Sequence, residues 1–167
     1  YKNEDLETKD IYIQEYIKSD QTKLLNCKDI NSNGVNQWTT LIGSAESDYA
    51  NDLEIGADGS VYITGYTYGD LDGQNNNDSP TDNFTTNDAF ITKFNSSGVK
   101  IWTTLVGSSK WDESNSLTID QNGYLYIAGK TTGDIDKKNN SGSDDIFISS
   151  FSTDGIKRSM TLVGTKE

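Results

Sequence analysis

The chain of 167 residues carries 26 acidic against 14 basic side chains and no histidine, a formal net charge of −12 at pH 7. That balance excludes ordinary nucleic-acid binding, which needs Lys or Arg clustered on phosphates, and the missing imidazole removes the usual proton shuttle and every Ser-His pair. No run of 18 apolar residues is present to span a membrane as a helix.

In chain order, the first regular element is a strand near residues 10–16, DIYIQEY, inside a stretch from Leu6 to Leu25 whose residues also tolerate a helix. An insertion at 17–32 follows and holds Cys27, a lone thiol with no internal partner. Residues 1–37 thus read as a partial unit plus an insertion. Residues 38–108 make the first full repeat, with strands near 51–55, 61–67, 89–94 and 99–106. Residues 109–167 make the second, with strands near 115–119, 125–131, 146–151 and 156–163. Between strands stand Asp58-Gly59, Ser97-Gly98, Asn122-Gly123 and Asp154-Gly155, dipeptides that tolerate the positive φ of tight hairpins. Val61, Ile63 and Gly65 alternate with Tyr62, Thr64 and Tyr66, which is the period of a strand. No segment carries a sustained helical stripe.

The units are copies of one another. Gapless alignment of 38–72 on 102–136 gives 18 identities in 35 positions, and 88–108 on 145–165 gives 10 in 21; unrelated residues coincide roughly 5 to 7 % of the time. The offset falls from 64 to 57 between the two blocks, so the second copy lacks seven residues, an indel that belongs in a surface loop. DIYIQEY aligns in turn with DAFITKF at 88–94. Four antiparallel strands per unit, ending in an aromatic and Gly-rich stretch, give an all-β fold of β-propeller-type blades, about two and a half four-stranded antiparallel repeats forming one propeller segment.

The segments WTTLIGS, ANDLEIGADGSVYITGYTYGDLDG and DAFITKFNSSGVKIW resemble the SBBP repeat, frequent in bacterial surface proteins. The resemblance covers about residues 10–165 and implies a seven-bladed propeller; on activity it is nearly silent, because propellers host many functions. Ser159 departs from it, standing where Trp38 and Trp102 stand, so packing between blades is expected to change there. Two and a half blades leave flanking faces to cover. Three explanations stay open: a piece of a longer array, favoured by the absence of an initiator methionine, a ring completed by self-association, or a short capped stack.

Support for catalysis is thin. No G-x-S-x-G elbow is present, and the run from Gly123 to Thr131 that resembles a phosphate loop has five residues between its glycines and lies in a predicted strand. Carboxylates are too numerous for any pair to mark a glycosidase. The acidic loops GDLDGQNNND from Gly69 and GDIDKKNNSG from Gly133 carry the one constellation with chemistry in it. Asp70, Asp72 and Asp88, repeated as Asp134, Asp136 and Asp145, are candidate ligands for calcium, a hard cation that takes oxygens, with Asn75, Asn76 or Asn77 as carbonyl donors. Against this, Asp, Asn and Gly are ordinary loop residues, and Lys137-Lys138 in the second copy repels a cation. No other cofactor is required.

Trp38 and Trp102 read as rings packed between blades. Trp111 lies in a loop where the first copy has Ser47, and with Tyr49, Tyr66 and Tyr68 it is a candidate ligand-binding aromatic, for protein or glycan. Sequons at Asn83, Asn95 and Asn139 matter only in a eukaryotic secretory setting. The expectation is therefore a non-catalytic propeller module of an extracellular or cell-surface bacterial protein, used in structural support or protein/ligand interaction. Its partners would include further blades of the same chain or a homo-oligomer. Two alternatives remain: a carbohydrate-binding, lectin-like propeller assembled by oligomerisation, and an acid-base glycosidase.

Overall fold

A computed structural model of the chain describes residues 10–17, 23–30, 36–76 and 86–166, with side chains for 37–76 and 86–166. Eleven strands form three antiparallel sheets, and no helix occurs among the described residues. The first sheet is β1 (Asp10–Ile17), β2 (Lys23–Ile30) and β3 (Asn36–Ile42); the second is β4 (Asp48–Ile55), β5 (Val61–Thr67), β6 (Asp88–Phe94) and β7 (Lys100–Val106). The third is β8 (Asp112–Ile119), β9 (Leu125–Thr131), β10 (Asp145–Phe151) and β11 (Lys157–Val163). Each sheet meanders in sequence order, as a propeller blade does.

Residues 17–32, expected as an insertion, contain β2, which pairs with β1 on one side and β3 on the other. The first sheet accordingly has three strands where two were expected. Its bulge identifies the equivalence: the register slips at Asp29/Ile30 opposite Trp38, just as it slips at Lys93/Phe94 opposite Trp102. The strand β2 therefore fills the place of β6, at the same 64-residue offset, and β1 fills the place of β5. DIYIQEY alternates like either of those strands, which is why its alignment with 88–94 misplaced it. Cys27 lies in β2, opposite Ile13 and Thr40 in the two ladders.

The hairpin dipeptides behave as their chemistry requires, in a more specific form. Gly59, Gly98, Gly123 and Gly155 sit at φ of 76, 75, 82 and 80°, while the residue before each stays at negative φ. The Gly98 amide donates to the Asn95 carbonyl at 2.9 Å, and Asn95 N donates to Val99 O at 2.9 Å. This is a type I turn followed by a glycine bulge, the three-residue hairpin loop, and not the two-residue turn with both residues at positive φ.

Two apolar layers hold the sheets face to face. Val61, Ile63, Phe90 and Phe94 of the second sheet pack with Ile42 and Trp38 of the first. On the opposite face, Tyr62, Ala89, Ile91 and Val106 meet Leu117, Leu125, Ile127, Phe147 and Phe151 of the third. The strand alternation read from 61–67 thus feeds both layers. Leu71 and Ile135, the central residues of GDLDG and GDIDK, are 0 % and 2 % exposed and plug into these same layers. In the third sheet Ile146 and Ile148 occupy the places of Ala89 and Ile91, yet stand 56 % and 45 % exposed.

A repeated polar latch fixes the stacking. Trp38 Nε1 donates to the Ser96 carbonyl at 3.2 Å and Thr40 Oγ1 to the Gly98 carbonyl at 2.6 Å. One sheet further on, Trp102 Nε1 donates to Thr153 O and Thr104 Oγ1 to Gly155 O, both at 3.1 Å. The indole lies on the turn glycine: a Cβ at Gly155 would meet Trp102 Cδ2 at 2.8 Å, and one at Gly98 would collide with Trp38. Ser159, in the tryptophan's place, instead pairs with Ser150 within its own sheet at 2.7 Å. On the inner strands, Asn51 Nδ2 donates to Ser114 O at 2.8 Å and Asp52 Oδ2 accepts from Leu117 N at 2.7 Å. A bulge at Asn51, repeated at Asn115, frees these side chains for the adjacent sheet.

The outer edge of the second sheet is occupied as well. Gln74 donates its amide to Thr103 O and accepts Leu105 N at 3.0 Å, following the pattern of a paired strand along β7. Lys138 stands at the equivalent place beside β11.

Gly98→Ala is expected to cost about 3 kcal/mol, combining a left-handed penalty of about 1–2 kcal/mol with overpacking against Trp38. Gly73 has a similar φ of 77° with nothing within 4 Å of a Cβ, so Gly73→Ala should cost only about 1 kcal/mol. Urea denaturation of both variants checks this; equal losses would mean that the ring on the turn contributes nothing.

Candidate functional site

The strongest cluster of surface-facing aromatic chemistry lies where β4 and β5 begin and end. Tyr49 and Tyr66 are register partners, which places their rings on one face of the sheet. They stack at 4.7 Å between centroids and 19° between planes. Tyr68, just past β5, is held by its amide on the Ser47 carbonyl at 3.0 Å. Its ring stands at 72° to Tyr49 and 76° to Tyr66, with centroids 6.3 and 5.9 Å away. Glu46, Ser47, Tyr49 and Tyr68 line a cleft of about 320 Å³. Burial pushes the Tyr68 phenol up from its ordinary range, followed by the charge of Glu113 on the next sheet and by Tyr49, with Lys130 opposing. The hydroxyl is therefore neutral at physiological pH.

The third sheet carries different chemistry at the same places. Lys110, Trp111, Glu113, Lys130 and Thr132 stand where the second sheet has Glu46, Ser47, Tyr49, Tyr66 and Tyr68. Glu113 and Lys130 form an ion pair at 3.5 Å. Trp111 is 54 % exposed, its backbone tied to Thr132 in both directions. The fold thus brings Tyr49, Tyr66 and Tyr68 together and sets Trp111 on the neighbouring sheet.

The six candidate calcium ligands have different surroundings. Asp70 Oδ1 accepts Asn76 N at 2.9 Å, and Asp134 Oδ1 accepts Asn140 N at 2.8 Å, so each closes its own loop. Asp72 pairs with Lys100, and Asp136 with Lys157 at 2.7 Å. Asp88 and Asp145 lie buried in the sheets. Asn76 and Asn140 spend their side-chain amides on the carbonyls of Thr67 and Thr131 at 3.0 and 3.1 Å; Asn75 is exposed, and Asn77 lies outside the described residues. Among the described residues no group of three or more His, Cys, Asp or Glu is arranged to hold a metal ion. A carboxylate already paired with a lysine is a poor calcium ligand.

Sequence reasoning passed over two buried carboxylates, Asp48 and Asp112, that lie in register with the candidates Asp88 and Asp145. Across the second sheet Asp48, Thr67 and Asp88 are in register, and across the third Asp112, Thr131 and Asp145. Asp48 and Asp112 are 0 % exposed and close the links between sheets. Asp48 Oδ2 accepts Ser44 N at 2.7 Å, and Asp112 Oδ2 accepts Ser108 N at 2.6 Å and Ser108 Oγ at 2.8 Å. The repeated pattern GSAESD and GSSKWD was the available signal for these caps. Burial is the leading influence on both carboxyls and raises them above the ordinary range, with Thr67 or Thr131 and the serine bonds offsetting only part of it. Their position inside the layers suits loop closure and gives no access to a glycan.

Residues 101–136 match the Beta-propeller repeat family SBBP, a stretch running from β7 to the second acidic loop. Over 122 residues, 71 % of the chain, the sequence is 31 % identical to Regulatory protein FlaEY of Caulobacter vibrioides. The matched stretch spans 13 % of that protein.

An acid whose folded pKa is raised costs stability once pH exceeds the folded value, and the cost disappears below the unfolded value of 3.8. Asp112→Asn keeps an oxygen for the Ser108 amide and removes the buried charge. Its stability relative to the parent chain should therefore rise as pH increases from 4 to 7, measured by urea unfolding at each pH. A difference that is flat in pH, or that falls as pH rises, contradicts the assignment.

Proposed function

From a chain that carries SBBP β-propeller repeats, we propose a non-catalytic scaffold-and-recognition module of an extracellular or cell-surface bacterial protein. One observation carries this reading. The positions that latch sheet to sheet are repeated, and each full repeat has a rim cleft of about 320–330 Å³, but the first is lined by Tyr49 and Tyr68 and the second by Lys110 and Thr132. Repetition maintains the frame, and divergence at one rim supplies specificity. Four of the loop aspartates support the same reading, because Asp70 and Asp134 accept backbone amides and Asp72 and Asp136 meet lysines. Among the described residues no helix is long and apolar enough to cross a membrane. Labelling of intact cells with a membrane-impermeant amine reagent should modify the exposed lysines. Labelling that requires lysis removes the cell-surface part of the reading. Oligosaccharide substrates should show no turnover, and turnover abolished by Asp88→Asn would restore the glycosidase.

A second reading, a carbohydrate-binding propeller assembled from several copies, is favoured by exposed Trp111 together with the apolar Ile146 and Ile148. It requires both a discrete oligomer in sedimentation velocity and a glycan-array signal lost in Trp111→Ala. A monomer without glycan binding dismisses it.

A further inference from the structure

We propose that the outer edge of β11 is a docking strand, on which an extended acidic segment of a protein partner pairs through main-chain hydrogen bonds and adds a fifth strand to the third sheet. β11 stands last in the order β11-β10-β9-β8, so one of its sides faces no strand among the described residues. The matching strand β7 shows which groups that side carries. Gln74 donates to Thr103 O and accepts from Leu105 N, so these two groups point away from β6. Residues two apart on a strand present their main-chain groups to the same side. Met160 stands opposite Ser149 and Leu162 opposite Phe147, as Thr103 stands opposite Thr92 and Leu105 opposite Phe90. Met160 O and Leu162 N are therefore the outward pair of β11.

The amide that covers this pair on β7 has no counterpart here. Leu71 bridges to Gln74 and Ile135 to Lys138, so the two loops make the same turn and Lys138 holds the place of Gln74. An ammonium only donates, and it offers nothing to Leu162 N. The bulge at Arg158 ends the regular ladder and leaves residues 159–163 as the pairing stretch. This edge lies on a different sheet from the Tyr49 rim and adds to the recognition reading without depending on it.

Charge selects the segment. Around the edge of β7 stand Asp72, Gly73, Gln74, Lys100 and Ile101, with one acid and one base. Around that of β11 stand Asp136, Lys137, Lys138, Lys157 and Arg158, with one acid and four bases, in a chain that carries −12 overall. Asp136 is taken by Lys157 at 2.7 Å, and Arg158 lies 4.0 Å from the centre of the Tyr124 ring. Lys137 and Lys138 are exposed and meet no acid among the described residues. Lys137 also holds a φ of 61°, the left-handed conformation that Gly73 takes in the other copy, so its charge is placed there at a backbone cost. A polyanion answers only the lysines. A peptide main chain also answers Met160 O and Leu162 N, an acceptor and a donor side by side. Edge lysines turn neutral strands away, but that guard is selective by sign and admits an acidic one.

The test is a titration of the full chain with three probes: a blocked octapeptide alternating Asp and Val, the same octapeptide N-methylated at alternate residues, and inorganic polyphosphate. Amide hydrogen exchange is followed at Leu162. The plain peptide should bind saturably and slow that exchange about 10-fold or more. Lys138→Gln and Lys137→Gln remove the same charge, but only the first recreates the amide cap made by Gln74. Affinity should fall about 10-fold or more in Lys138→Gln and about 2- to 4-fold in Lys137→Gln. Equal losses in the two variants, or equal binding of the N-methylated peptide, overturn the strand pairing. Polyphosphate that binds as tightly as the peptide, with no slowing at Leu162 from either, replaces the docked strand by a simple anion patch. No binding of the plain peptide overturns the proposal outright.

Discussion

The stacking of these sheets depends on an indole ring laid over a turn that has no side chain. Trp38 and Trp102 each reach across to the outer hairpin of the following sheet, and the space they fill is the space a Cβ would occupy at Gly98 or Gly155. The glycine therefore has two duties at once, accepting a positive φ and yielding room to a neighbour. Because Trp and Thr are two residues apart on one strand, both point to the same side, and their hydrogen bonds to successive turn carbonyls set rotation as well as distance. At the inner edge Asn51 and Asp52 reach to Ser114 and Leu117, so the second and third sheets are gripped at both ends and the apolar layer between them is held in register.

Much of this was legible because repetition constrains interpretation. The 64-residue period, the glycine turns and the alternation in 61–67 led directly to strands, hairpins and two-faced packing. What was obscured shares a cause: a residue type read for its chemistry while its position in the period was ignored. GDLDG reads as acid-rich, yet its leucine decides where the loop goes, by entering the core and leaving the flanking aspartates to face lysine and backbone. Asp88 and Asp145 read as ligands at the openings of strands, and they do open strands, but their neighbours bury them there. The strand β2 shares only apolar character with β6, too little for residue matching to detect, although the bulge beside Trp38 marks it in the structure. The tyrosine cluster was visible as a set of aromatic letters. That three of them meet while Trp111 stands apart is a consequence of strand register, which needs both strands of the pair to be placed.

The division between repeated and unrepeated positions gives the clearest view of function. Latches, caps and plugs recur, so mutation there acts through folding. The aromatic rim beside Tyr49 does not recur, which is why the proposed recognition is placed there. Similarity to a stretch covering 13 % of a larger regulatory protein agrees with a unit used as a part.

Gln74 illustrates a different economy. By presenting an amide where another chain would present its backbone, it occupies two edge groups of β7, Thr103 O and Leu105 N, that a second molecule would need in order to extend the sheet. An added strand at β7 would have to displace that amide, beside an ion pair between Lys100 and Asp72 that already ties the same loop to the start of the strand, so growth of the sheet there would compete with bonds the chain makes to itself.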